Sequence, residues 1–430
     1  MIRCKVLFAL ALTLATPAIA QEAIAIKAGR MIPIVGEEQK DVVILIEGGK
    51  IKSIGKDVKP AWNARVIDAS DKVVMPTYVI AHTSGGLSAG DAENMANVPF
   101  LTVQDAVDPA STYFEEALRN GVGTIHVVPG NRTLIGGMGM VVRPFGKTVE
   151  DMAVQTKSAM KLSLLASGGP MGGSGSKVAQ IRKMRRAFED VQDYLKDWNR
   201  KKEEFAKEKA AGATGDKKEF DEQIDPQKKP MVDLLEGKMK AFLYVPGPAE
   251  LTEALRMGAA YKFPTTLVLG RDCHKAASAL AGYKGIVCLD PDLEFYETEP
   301  DSDDEKLVCT TTAMAKAGIA FTISIDENAD SPRRFPWWQM ATAIRNGMDR
   351  KAALEAMTIV PAKVIGMQDQ FGSIEEGKVA NLQILTGDPL KSTTWVEQVL
   401  LEGVVSYERS KDRRLQYVSG KADQPKTETK

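Results

Sequence analysis

The stretch Lys72-Val-Val-Met-Pro-Thr-Tyr-Val-Ile-Ala-His82-Thr-Ser84-Gly-Gly86 constrains this chain more than any other. An apolar run passes through a proline, continues as a fully apolar strand, and ends on a histidine followed by small polar residues and glycines. A continuous apolar run bounded by turn residues is the pattern of a strand buried on both faces. A histidine at the carboxyl end of such a strand stands where a (β/α)₈ barrel carries its chemistry.

The rest of the chain fits that beginning. Residues 23–75 read as β structure: Asp41–Glu47 and Lys50–Gly55 flank Gly48-Gly49, a two-residue hairpin signal, and Ala64–Asp68 adds a short strand. Strands this short do not close a domain alone. Their partners are expected at Ala380–Thr386, Val396–Leu401 and Val404–Glu408, with Glu402-Gly403 as the last turn. In between, apolar strands alternate with helical segments, which predicts a parallel α/β core. The strands are the one ending at His82, Gly123–Pro129, Gly136–Val142, Met160–Leu165, Ala241–Val245, Thr265–Gly270, Gly285–Leu289 and Ile319–Asp326; Ser111–Asn120 is the first helix.

Two segments stand apart. Residues 1–20 have Arg3 and Lys5 before an apolar run, and then Ala18-Ile-Ala20, the pattern of a cleavable signal peptide. An exported protein, periplasmic or secreted, is the expectation. Residues 177–230 are dense in charge, but Ile181, Met184, Phe188, Val191, Leu195 and Trp198 recur at steps of three and four, a seam along one helix face. That seam predicts a helix packed on the core. If the protein works with a partner, as a homo-oligomer or a hetero-oligomer with an active paralogue, the same stripe is the candidate contact. The segment Lys207–Lys229 reads as a loop.

A net charge of −1 gives no electrostatic case for nucleic acid or an anionic membrane surface. Four cysteines, one of them in the leader, leave Cys273, Cys288 and Cys309, which read as small buried hydrophobes.

The His82 stretch resembles the entry strand of the amidohydrolase superfamily, which reads roughly V-x-P-G-x-[IV]-D-x-H-x-H. His82 matches the first histidine, Ser84 replaces the second, and Thr77 and Ile80 replace the glycine and the aspartate. Ala352-Leu-Glu-Ala-Met-Thr-Ile-Val-Pro-Ala-Lys363 and Phe371-Gly-Ser-Ile-Glu-Glu-Gly-Lys-Val-Ala-Asn381 resemble the family's C-terminal signature nearly residue for residue, with Asn381 where the family has aspartate. Val128–Gly139 is similar to the imidazolonepropionase-like branch. The resemblance implies a (β/α)₈ TIM-like barrel with a small β-sandwich formed by the N- and C-terminal segments. It divides the chain into a signal peptide (1–20), the N-terminal piece of the sandwich (21–75), the barrel (76–375, with the insertion 177–230), the C-terminal piece of the sandwich (376–410) and a polar tail (411–430).

The reaction implied is metal-dependent hydrolysis of a non-peptide C–N bond, in which a divalent ion such as zinc lowers the pKa of its water. Asp326, after the eighth strand, matches the aspartate that moves the proton, and His82 stands as the remnant of the metal set. The family's acid or carboxylated lysine at the fourth strand finds no counterpart from Leu162 to Ser176, where Ala166 marks the expected place; Lys161 opens that strand rather than ending it. The histidines of the fifth and sixth strands fall on residues near Tyr244 and on Leu269. The chain has only three histidines. His126 reads as a packed strand histidine, and His274 lies too far along.

Three readings follow. One is an active amidohydrolase with a divalent metal. Another is an impaired, non-catalytic copy that binds a small molecule or serves as partner of an active paralogue, with no cofactor. The third uses Asp326 and His82 as a metal-free acid–base pair. Arg333, Arg334 and Trp337, with Trp338, are expected over the mouth, where guanidinium and aromatic groups suit an anionic ligand.

Overall fold

The computed structural model describes residues 23–88, 97–165, 176–211, 219–299, 301–327 and 330–418. Residues 1–22, on which the expected signal peptide falls, Ala166, most of the Gly168–Ser176 loop and the end of the tail lie outside them.

The N- and C-terminal segments meet in one seven-stranded sheet. Its order is Val404–Glu408, Val396–Leu401, Leu382–Leu385, Arg65–Pro76, Ile24–Met31, Gln39–Glu47 and Lys50–Gly55. Gly48 and Gly49 turn its hairpin with φ of 56° and 76°, values that favour glycine. Ile26, Ile44, Ile46, Leu382, Ile384 and Leu400 form its own apolar core. An isolated bridge, Lys50 to Val379, brings the far edge back toward the returning strands. The two ends therefore meet as expected, but in a single hydrogen-bonded sheet rather than the two layers of the expected β-sandwich.

At Pro76 the chain changes sheet. Pro76 still pairs with Leu382, Thr77 donates its N–H to Asn381 O at 3.0 Å, and Tyr78 donates to Gly121 O at 2.9 Å. From there Tyr78–Thr83 begins the central α/β sheet, with all residues but His82 buried. The apolar run is thus two strands in two sheets, joined at the proline.

The central strands follow in the expected order: Tyr78–Thr83, Val122–Val127, Ile135–Met138 with Met140–Val142, Ala159–Ser163, Lys240–Val245, Thr265–Leu269, Val287–Leu289 and Phe321–Thr322. Two features depart from a parallel closed barrel. Ile135–Met138 and Met140–Val142 run antiparallel to both neighbours. Only residues 128–134 separate them from the preceding strand, too few for the crossover of a dozen or more that a parallel return requires. The edge strands are also not paired with each other among the described residues. Instead the chain after residue 355 lies between them: Ile323 donates to Ala356 O at 3.1 Å and Val79 to Met357 O at 3.0 Å.

Helix Lys177–Ala210 fills the insertion. Met184, Phe188 and Val191 sit in the central core, with Ile181 and Leu195 packed at its margin. Its outer faces carry ion pairs one turn apart, such as Arg186–Asp190 at 2.9 Å and Arg200–Glu204 at 2.9 Å. Met184, Phe188 and Val191 of the stripe are therefore covered by this chain itself, while Ile181, Leu195 and Trp198 are partly buried. The helix also carries the expected loop's first residues to Ala210, and a further helix begins at Lys229. Cys273 and Cys288 are buried, as small hydrophobes would be.

Candidate functional site

The carboxyl ends of the central strands surround a cavity of about 240 Å³, the kind of place where an α/β sheet takes its ligands. His82 and Ser84 reach it from the first strand, Asn131 from the loop after the second, Tyr244 from the fifth, Asp290 from the seventh, and Asp326 and Glu327 from the eighth.

Below the cavity lies the residue that reading the sequence misplaced. Strand Ala159–Ser163 is buried throughout, and Lys161 stands at its centre, 0% exposed. It does not open the strand. Its Nζ lies 2.5 Å from His82 Nε2 and donates to Asn131 Oδ1 at 2.6 Å. Burial, then the adjacent Lys161, hold the His82 pKa well below the usual imidazole range. The fourth strand therefore does supply an ionisable group. The available signal was a lysine between apolar neighbours in Ala159-Met-Lys-Leu-Ser163, a charge that a buried strand carries only when it is engaged.

Asp326 stands where expected, at the end of the eighth strand. Its N–H donates to Arg333 O at 3.1 Å, and its carboxylate pairs with Arg333 Nη2 at 3.3 Å. The same guanidinium reaches Asp292 at 2.5 Å, and Arg271 meets that carboxylate at 2.9 Å. Glu327, which sequence reading did not single out, accepts from Thr83 Oγ1 at 2.8 Å, from Ser84 N at 2.5 Å and from Ser84 Oγ at 3.0 Å. It thereby ties the eighth strand end to the first. Asp290 was also missed, although an acid directly after the buried strand Val287–Leu289 was the available cue; burial raises its pKa.

The expected mouth residues are arranged differently. Arg333 is at the rim, committed to carboxylates. Arg334 pairs with Glu116 at 3.2 Å and lies over the Phe335 ring. Trp337 stacks on Phe335 and meets Trp338 edge-on. None of Arg333, Arg334 and Trp337 lines the cavity. His126 is a packed strand histidine, as read: Nδ1 faces Ala81 O at 2.8 Å and Nε2 faces Ser158 Oγ at 2.7 Å. Gly139 makes room for it, since a Cβ there would lie 2.9 Å from His126 Nε2. His274 sits outside the cavity, between Arg271 O and Glu297.

Gln339, 1% exposed, sets the distance between the two acidic strand ends. Its Nε2 donates to Pro291 O and Ser324 O, each at 2.8 Å. Gln339→Leu strands two buried carbonyls and is expected to cost about 2 kcal/mol. Urea denaturation measures this; an unchanged midpoint would mean that the bridge positions nothing.

The donors do not fit a catalytic zinc, which takes three protein ligands and a water. One imidazole faces the site, its Nε2 already engaged by Lys161. Asp326 is turned to Arg333, and no group of three His, Cys, Asp or Glu able to hold a metal occurs among the described residues.

Residues 301–421 match the model of the amidohydrolase family. No curated protein matches the chain. Among solved structures, an amidohydrolase from Thermotoga maritima is 26% identical with a TM-score of 0.76, over 90% of this chain and 100% of that one. An adenosine deaminase from Xanthomonas campestris with bound zinc gives 14% and 0.52, over 93% and 96%. A putative prolidase from Bifidobacterium longum gives 15% and 0.53, over 90% and 95%. The entry strand, the strand-end cavity and the C-terminal segment agree with that likeness: residues 301–421 are an amidohydrolase-family domain, and the chain as a whole has the fold of an amidohydrolase 26% identical to it.

Proposed function

We propose that this is an exported amidohydrolase of the imidazolonepropionase-like branch, with a barrel-type core, in which metal-dependent hydrolysis is impaired. Its strand-end cavity binds a small molecule with a non-peptide C–N bond, a cyclic amide or a dipeptide-like compound. The observation that carries this reading is the Lys161 amine seated on His82 Nε2, the imidazole atom a divalent ion would need. Ser84 stands where the resemblance expects a second histidine, and its hydroxyl is spent on Glu327. Lys161 puts a compact cationic group beneath the floor of the cavity, against the imidazole that a metal would need.

Metal content and turnover test the proposal together. The mature protein, loaded with zinc or manganese and dialysed, is expected to retain well under one ion per chain. It is also expected to hydrolyse cyclic amides and Xaa-Pro dipeptides no faster than background. A near-stoichiometric ion accompanied by turnover would overturn the impaired reading and restore the family reaction.

A further inference from the structure

We infer that the strand-end cavity selects a small organic cation, an amine- or amidine-bearing molecule; the inference rests on that cavity being the ligand site. Three carboxylates, Asp290, Asp326 and Glu327, line it, and among the described residues no lysine or arginine does. The cationic groups nearby are turned elsewhere. Lys161 lies beneath the floor, fully buried, its amine engaged by His82 and Asn131 and set 5.6 Å from the Tyr244 ring centroid. Arg333 approaches from outside and divides one guanidinium between Asp292 and Asp326. Glu327 is held by hydroxyl and amide donors, which orient its carboxylate without neutralising it.

A cation entering this space meets opposite charge on two sides, in a recess where Coulomb terms are larger than in bulk water. The Tyr244 ring shares the lining with the carboxylates, its face already turned to the Lys161 amine, 5.6 Å from its centroid. Burial pushes the Tyr244 phenol up to about 12, so that it stays neutral beside them. A carboxylate ligand would meet the same groups as repulsion. The anionic ligand expected from Arg333, Arg334 and Trp337 is therefore the disfavoured one, since those groups lie outside the lining.

Titration calorimetry with three lactams tests this: α-amino-ε-caprolactam, which is cationic at pH 7, neutral ε-caprolactam, and anionic pyroglutamate. The cationic lactam is expected to bind at least tenfold more tightly than the neutral one, with no binding of pyroglutamate. Asp326→Asn and Glu327→Gln, each checked by its melting temperature, should each reduce that preference several-fold. Equal or tighter binding of the neutral lactam overturns the charge selection while leaving the cavity as the ligand site. Cation binding that neither variant alters places the lactam elsewhere and also overturns it. No binding by any of the three removes both this inference and the cyclic-amide reading beneath it.

Discussion

Phe188→Glu is expected to leave little folded protein, and Phe188→Ala to lose about 3–5 kcal/mol of stability. Phe188 is 0% exposed, and its ring packs against Tyr261 at 4.6 Å and Phe263 at 5.5 Å between centroids. Met184 and Val191 flank it in the same core. Truncation to alanine removes the transfer energy of the ring and leaves a cavity that the neighbouring rings fill only in part. A carboxylate adds the cost of an unpaired buried charge, which the total stability of a domain, about 5–15 kcal/mol, does not cover. Leu195→Glu, at the margin of the same seam, should cost far less. Urea denaturation with gel filtration separates this from the interface reading of the stripe. A folded Phe188→Glu chain that elutes later than the parent would mean that the seam faces a partner rather than this chain's own core.

The elements that could be read from sequence are those whose signal is local. Gly48-Gly49 marks a turn needing positive φ, Ser111 caps the helix Thr112–Arg119 with its side chain, and Val396–Leu401 forms the strand expected. The C-terminal signature also has a structural role: Asn381 Oδ1 accepts from Glu402 N at 2.8 Å, closing the turn into the last strand. Strand direction was not legible, because periodicity reports burial and not which neighbour a strand pairs with. Ile319–Asp326 reads as a long strand for the same reason. Only Phe321–Thr322 is paired as strand, its other side facing the chain at Ala356. Within the site, Asp326 and His82 followed from position along their strands. Lys161, Asn131 and Asp290 did not, since their roles depend on which side chains meet across several strands. Lys161 carries the sharpest lesson: placing a strand end two residues off hid a charged group under the cavity.

Acid is expected to destabilise the chain through His126. Its Nδ1 faces a carbonyl oxygen, Ala81 O, so Nδ1 carries the proton and Nε2 accepts from Ser158 Oγ. The side chain is 1% exposed and lies edge-on to the Phe242 ring at 4.6 Å. Burial is the main cause that lowers its pKa from 6.5 to about 4. The folded state thus prefers the neutral ring more than the unfolded chain does. That preference contributes its full stability above pH 6.5, the unfolded value, and is lost as pH falls toward 4. At about 1.4 kcal/mol per pH unit the loss approaches ~3 kcal/mol across the window. His126→Gln removes the titration but keeps a polar side chain of similar reach. Unfolding free energies of the two proteins, measured from pH 8 to pH 4, should therefore differ by a constant amount down to about pH 6.5, and the gap should then narrow. Carboxylates common to both chains cancel in the difference. A gap that stays flat to pH 4 would mean that the imidazole is solvated in the native state, contrary to its burial against Ala81, Ser158 and Phe242.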